Sequence, residues 1–127
     1  MRTGMKMIIY GKTGECNDAI NILQTQFSDA AAQHVYFPAT TRDDLQRQLV
    51  QYSPDLVIVL ANGAAGMEGV YASKEFDPDI PVFWFSDDHE FGMQSHRLEC
   101  AYFSTKPLNT DKIRRAFIRC AHVWISI

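Results

Sequence analysis

The sequence predicts an α/β domain, an open sheet of parallel strands with helices on both faces, and three observations carry that prediction. The first is Pro54-Asp55-Leu56-Val57-Ile58-Val59-Leu60-Ala61, an unbroken aliphatic run bounded by Pro54-Asp55 before and Asn62-Gly63 after. A strand-length run without polar alternation fits a strand buried on both faces, as parallel sheets require. The second is that strand-like and helix-like segments alternate five times along the chain, with no internal repeat. The third is that the connections are short and suit crossovers over one sheet. The 127 residues make one domain, 1–127, long enough to bury a core, with the first four residues expected to be flexible.

The elements follow in order. Met7-Ile8-Ile9-Tyr10, ended by Gly11, reads as the first strand. From Gly14 onward Cys16, Ala19, Ile20, Leu23 and Phe27 share one face of a helix, with Thr13 as its candidate cap. Val35-Tyr36-Phe37 is a second strand that Pro38 is expected to stop. Thr41-x-x-Asp44 resembles a capping box, and Leu45, Leu49 and Tyr52 form the buried stripe of the helix it opens.

After the central strand, Met67 to Phe76 has room for a short third helix, which the two prolines of Asp77-Pro78-Asp79-Ile80-Pro81 end. Val82-Phe83-Trp84-Phe85 is a fourth strand, followed by the polar Ser86-Asp87-Asp88. Phe91, Ser95 and Leu98 line one face of a fourth helix. Ala101-Tyr102-Phe103-Ser104 is a fifth strand, ended by Lys106-Pro107. A last helix from about Thr110 buries Ile113, Ala116, Phe117, Cys120 and Trp124.

Composition narrows the function. A content of 46% hydrophobic and 21% charged residues is ordinary for a globular protein, and a net charge of −3 argues against a domain that wraps nucleic acid or lies on an anionic membrane. Cys16, Cys100 and Cys120 are odd in number and have no CxxC spacing, so they read as reduced, mostly buried thiols. No apolar run approaches the roughly 20 residues of a membrane span, and no signal-peptide pattern opens the chain. A cytoplasmic location is expected.

Chemistry-bearing motifs are sparse. In an open parallel sheet, ligands collect beyond the carboxyl ends of the strands. At the central strand that place is taken by Leu60, Ala61 and Asn62, and two of the three carry no reactive group. Gly11-Lys12-Thr13 looks like the end of a phosphate-binding loop, but position 6 is lysine where that loop needs glycine, so a tight turn is the better reading. His34, His89, His96 and His122 have no ligand spacing, and Asp87-Asp88-His89-Glu90 suits a helix N-terminus better than a metal. No metal and no cofactor are expected. Lys112, Arg115 and Arg119 fall on one side of the last helix, either as a solvated face or as a docking surface.

Three segments, in this order and spacing, resemble the receiver domain of bacterial two-component response regulators. They are Pro54 to Val59, Gly66-Met67-Glu68-Gly69 with Asp77 to Val82, and Ser86 followed at a distance by Ala101-Tyr102-Phe103-Ser104-Thr105-Lys106-Pro107. Ser86 and Lys106 stand 20 positions apart with Glu90-Phe91 and Ser95 between, which looks like the LytTR-type branch. The resemblance covers nearly the whole chain. It implies the flavodoxin-like (βα)5 fold with strand order 2-1-3-4-5, and a cis Lys106-Pro107 bond.

It also implies a chemistry that this chain does not carry. Receivers gather Mg2+ with acids after the first strand and phosphorylate an aspartate at the end of the third, while a Ser or Thr hydroxyl and a Lys hold the phosphoryl oxygens. Ser86 and Lys106 match the last two. Lys12 stands where acids would hold the metal, and the phosphoacceptor place falls on Leu60 or Ala61 according to register. Lacking its carboxylate, Lys106 is expected to turn to solvent, to Asp87 or to a bound anion.

The expectation is therefore a degenerate, non-enzymatic receiver that acts through protein–protein contact with another signalling protein or with its own copy. The resemblance puts that contact on the fourth helix, fifth strand and last helix, with Phe91, Phe103, Lys112, Arg115 and Arg119. A LytTR-type regulator carries a DNA-binding domain after its receiver. No such output domain is expected within these residues, and no direct nucleic-acid contact. Two alternatives stay open: a receiver phosphorylated through Asp87 or Asp88 or gated by a ligand, and a small nucleotide- or cofactor-binding protein on the same fold.

Overall fold

The structure, a computed structural model, describes residues 4–27 and 33–120. Among the described residues five parallel strands form one sheet in the order β2-β1-β3-β4-β5. They are β1 (Lys6–Tyr10), β2 (Val35–Ala39), β3 (Leu56–Val59), β4 (Val82–Ser86) and β5 (Tyr102–Thr105). The helices between and after them are α1 (Thr13–Gln26), α2 (Arg42–Tyr52), α3 (Gly63–Phe76), α4 (Gly92–Arg97) and α5 (Thr110–Arg119). This is the flavodoxin-like arrangement with the expected strand order.

Strand alternation sorts the core into two layers. Ile9, Ile58, Leu60, Phe83 and Phe85 pack under α1 and α5 with Cys16, Leu23, Ile113 and Phe117. Ile8, Tyr10, Val57, Val59 and Trp84 pack under α2 and α3 with Leu45, Leu49 and Val70. Every residue of β3 and β4 is buried, as a central parallel strand covered on both faces must be. Phe83, Trp84 and Phe85 are the largest fully buried side chains among the described residues.

Several local expectations change. Pro38 does not stop β2 but lies inside it, paired in register with Ile9. The strand is at the sheet edge, and Val35 N–H donates inward to Met5 O at 2.9 Å. Three residues on, the backbone nitrogen of Pro38 faces outward, where a missing donor costs nothing. Thr13 is the first residue of α1, not its cap. Lys12 takes the cap position and has no side-chain acceptor to offer. Thr41 does cap α2, accepting from Asp44 N–H at 3.0 Å. The helix α3 starts at Gly63, four residues before Met67. Phe91 belongs to a 3-10 turn, His89–Phe91, and α4 is only the six residues after it.

The expected burial of Trp124, the expected flexibility of residues 1–3 and the placement of His122 lie outside the described residues. Among the described residues no helix is long and apolar enough to cross a membrane.

Candidate functional site

The carboxyl ends of β1 and β3 open into a depression of about 380 Å3. Tyr10, Gly11 and Lys12 border it from β1, Ala61 and Asn62 from β3, and Glu15 from α1. Its polar groups are few. Burial pushes the Tyr10 phenol up, the Glu68 carboxylate adds to that, and Arg42 opposes it, so the phenol stays neutral. Lys12 is exposed. Among the described residues no three His, Cys, Asp or Glu side chains gather where they would hold a metal ion.

Leu60 and Ala61 part company at the strand end. Leu60 continues the alternation into the layer under α1 and α5 and is 1% exposed. Ala61 borders the depression, and its carbonyl accepts from Trp84 Nε1–H at 2.9 Å. A Cβ on Gly66 would lie 2.3 Å from that same carbonyl oxygen and 2.5 Å from Trp84 Nε1. Glycine is therefore what lets the first turn of α3 come down onto the end of β3. The Asn62 side chain is committed as well, since its Oδ1 accepts from Asp87 N–H at 2.9 Å.

Ser86 is fully buried, and its Oγ accepts from Asp88 N–H at 3.3 Å. Asp88 in turn caps the 3-10 turn, its Oδ1 accepting from Glu90 N–H at 2.9 Å. The acidic run after Ser86 thus serves a helix N-terminus, as its composition suggests. Lys106 N–H donates to Ser86 O at 2.8 Å, and the Lys106-Pro107 bond is cis.

The Lys106 ammonium does not go to solvent, to Asp87 or to an anion. Its Nζ donates to Glu15 Oε2 on the first turn of α1, an ion pair between side chains 14% and 35% exposed. The reason is plain: a largely buried ammonium needs a counter-charge, and Glu15 presents one across the strand ends. Sequence reading missed Glu15. The only signal available was an acid in the first turn of a helix, where acids are common anyway.

On the α4–β5–α5 side, Phe91 and Phe103 are half-buried and set edge-on against Trp84, at 5.7 and 5.3 Å between ring centroids. Lys112 is not a free rim charge, because its Nζ donates to the carbonyl of Thr105. The Arg119 guanidinium lies 6.0 Å from the Tyr102 ring centroid, and Arg115 is exposed without a partner among the described residues. Two apolar side chains that the sequence did not single out stand out here, Met93 at 69% and Ile118 at 66% exposure.

No family model matches the chain, and no curated protein sequence does. Solved structures match over almost its whole length. The signal receiver domain of a DNA-binding response regulator from Colwellia psychrerythraea superposes with a TM-score of 0.74 at 16% identity, covering 92% of this chain and 98% of that one. The N-terminal signal receiver domain of a two-component response regulator from Bacteroides fragilis gives 0.71 at 17% identity, covering 93% and 96%. A putative CpaE2 pilus assembly protein from Sinorhizobium meliloti gives 0.70 at 16% identity, covering 91% and 98%. At such identities the likeness is one of fold.

Proposed function

We propose that this chain is a receiver-fold regulatory module that works by protein–protein contact and takes no phosphoryl group. The observation that carries the reading is the combination at the strand ends. Gly11, Lys12, Leu60 and Ala61 offer no carboxylate, and the lysine that would hold a phosphoryl oxygen is already bound to Glu15. A phosphoryl group needs a nucleophile to accept it and a cation to neutralise it. The reading therefore assigns no catalytic role to any of these residues.

The contact face in this reading is α4–β5–α5. Met93 and Ile118 supply exposed apolar anchors, and Arg115 and Arg119 supply a cationic rim. With no phosphoryl group to bias it, one arrangement of Ser86, Phe103 and Lys106 persists whatever the phosphodonor supply.

Incubation with a small phosphodonor and Mg2+, followed by intact mass, is expected to leave the mass unchanged. One added phosphoryl group would favour an unconventional acceptor such as Asp87 or Asp88 instead. Light scattering at several concentrations and partner capture, with Arg115→Glu and Arg119→Glu, test the face. A monomer at every concentration with capture unchanged by charge reversal would remove it.

A further inference from the structure

We propose that a second cleft, between α1 and the loop joining β5 to α5, binds a small organic cation: a primary amine on a compact apolar body. The cleft holds about 420 Å3, within the size range of small-molecule sites. Its apolar lining comes from three parts of the chain: Ile22 on α1, Leu60 at the end of β3, and Pro107 with Leu108 in the loop. Its polar groups are Glu15 and Asp18, adjacent on the surface of α1, and Lys106.

The charge decides the class of ligand. Two carboxylates face one ammonium, which leaves the mouth net negative. The ammonium is also spoken for, since Lys106 is 14% exposed and donates to Glu15. Asp18 is exposed and has no partner among the described residues, and Glu15 keeps 35% of its side chain open. An anion would meet two acids and a lysine already paired. An ammonium meets one free carboxylate and one half-open one, while its apolar body covers Ile22, Pro107 and Leu108. Aliphatic side chains without a hydrogen-bond array suit a hydrocarbon rather than a polar body such as a nucleotide. The cleft's lining includes none of the anchor or rim residues of the contact face proposed above, so either proposal can fail without the other.

The test is amide chemical-shift titration of the full chain with phenethylamine, and with phenylacetate as the anionic counterpart of similar body. Phenethylamine is expected to saturate with a dissociation constant on the order of 1 mM, moving the amides of Glu15, Asp18, Ile22 and Leu108. Phenylacetate is expected to leave them in place. Asp18→Asn should weaken binding by about threefold to fivefold and Asp18→Lys by roughly tenfold or more, because the site then loses or reverses its free charge. Asp18 is exposed, so both variants should keep the unliganded spectrum. The proposal is overturned if phenylacetate binds as tightly, if those amides do not move by about 20 mM amine, or if Asp18→Lys binds as the parent does.

Discussion

The two halves of the sheet's carboxyl edge are held in different ways. At the end of β3 the residues that follow the strand are fixed mainly by packing, beside the depression that β1 and β3 border. Leu60 is buried, Gly66 sits against the Ala61 carbonyl, and Trp84 donates its indole N–H to that carbonyl. Around the ends of β4 and β5 three polar side chains are bound within the chain. Ser86 serves Asp88, Lys106 serves Glu15, and Lys112 serves Thr105. The difference teaches that a polar residue type at a strand end does not by itself mark a free functional group. A buried hydroxyl or ammonium has to be satisfied, and it takes whatever partner the fold supplies.

The strongest way to break the comparison is to restore an acid on the packed half. Leu60→Asp is expected to cost about 4 kcal/mol or more, since it removes a buried aliphatic group and buries a carboxylate in its place. Ala61→Asp, at the half-buried position beside the depression, should cost about 1 kcal/mol or less. Urea midpoints measure both. Equal costs would mean that the two residues do not face different surroundings.

On the other half, Glu15→Ala should destabilise by about 2 kcal/mol, because it strands the Lys106 ammonium in a largely buried place. Adding Lys106→Met should return most of that loss, and a double-mutant cycle reads the coupling. No recovery would show that the pair does not hold α1 to the loop. Ser86→Ala is a smaller perturbation, expected at about 1 kcal/mol for one lost hydrogen bond to Asp88 N–H, again read from the urea midpoint.

The smallest effect sharpens the comparison by acting at the opposite edge of the sheet. His34 Nδ1 accepts from Met5 N–H at 2.9 Å, and burial holds the imidazole below its ordinary pKa. The unfolded chain then takes up its proton first as pH falls. Stability contributed by neutral His34 is fully present above the unfolded value of about 6.5 and is lost progressively below it, until the folded value is passed. His34→Asn should flatten that part of the stability-against-pH curve while leaving the Glu15 and Ser86 cycles unchanged.

The sequence by itself determined the sheet and the residue types at its strand ends. Runs such as Leu56 to Leu60 and Val82 to Phe85 are apolar without alternation, and only a strand covered on both faces accommodates them. That Gly11, Lys12, Leu60 and Ala61 bring no carboxylate to the strand ends was equally legible, because a side chain that is absent from the sequence cannot be supplied by folding. The cap at Thr41 and the start of α5 near Thr110 were also local, set by side chains within one turn of the backbone they serve. Pro38 was misjudged because its effect depends on which neighbour the strand has, and only the sheet order puts β2 at an edge. The start of α3 was missed because Gly63 and Gly66 look like turn residues until the Ala61 carbonyl and Trp84 are brought against them. The partner of Lys106 was out of reach for the same reason. Glu15 lies 91 positions away, and no local pattern encodes a pairing that exists only when the ends of β1 and β5 are brought to one edge of the sheet.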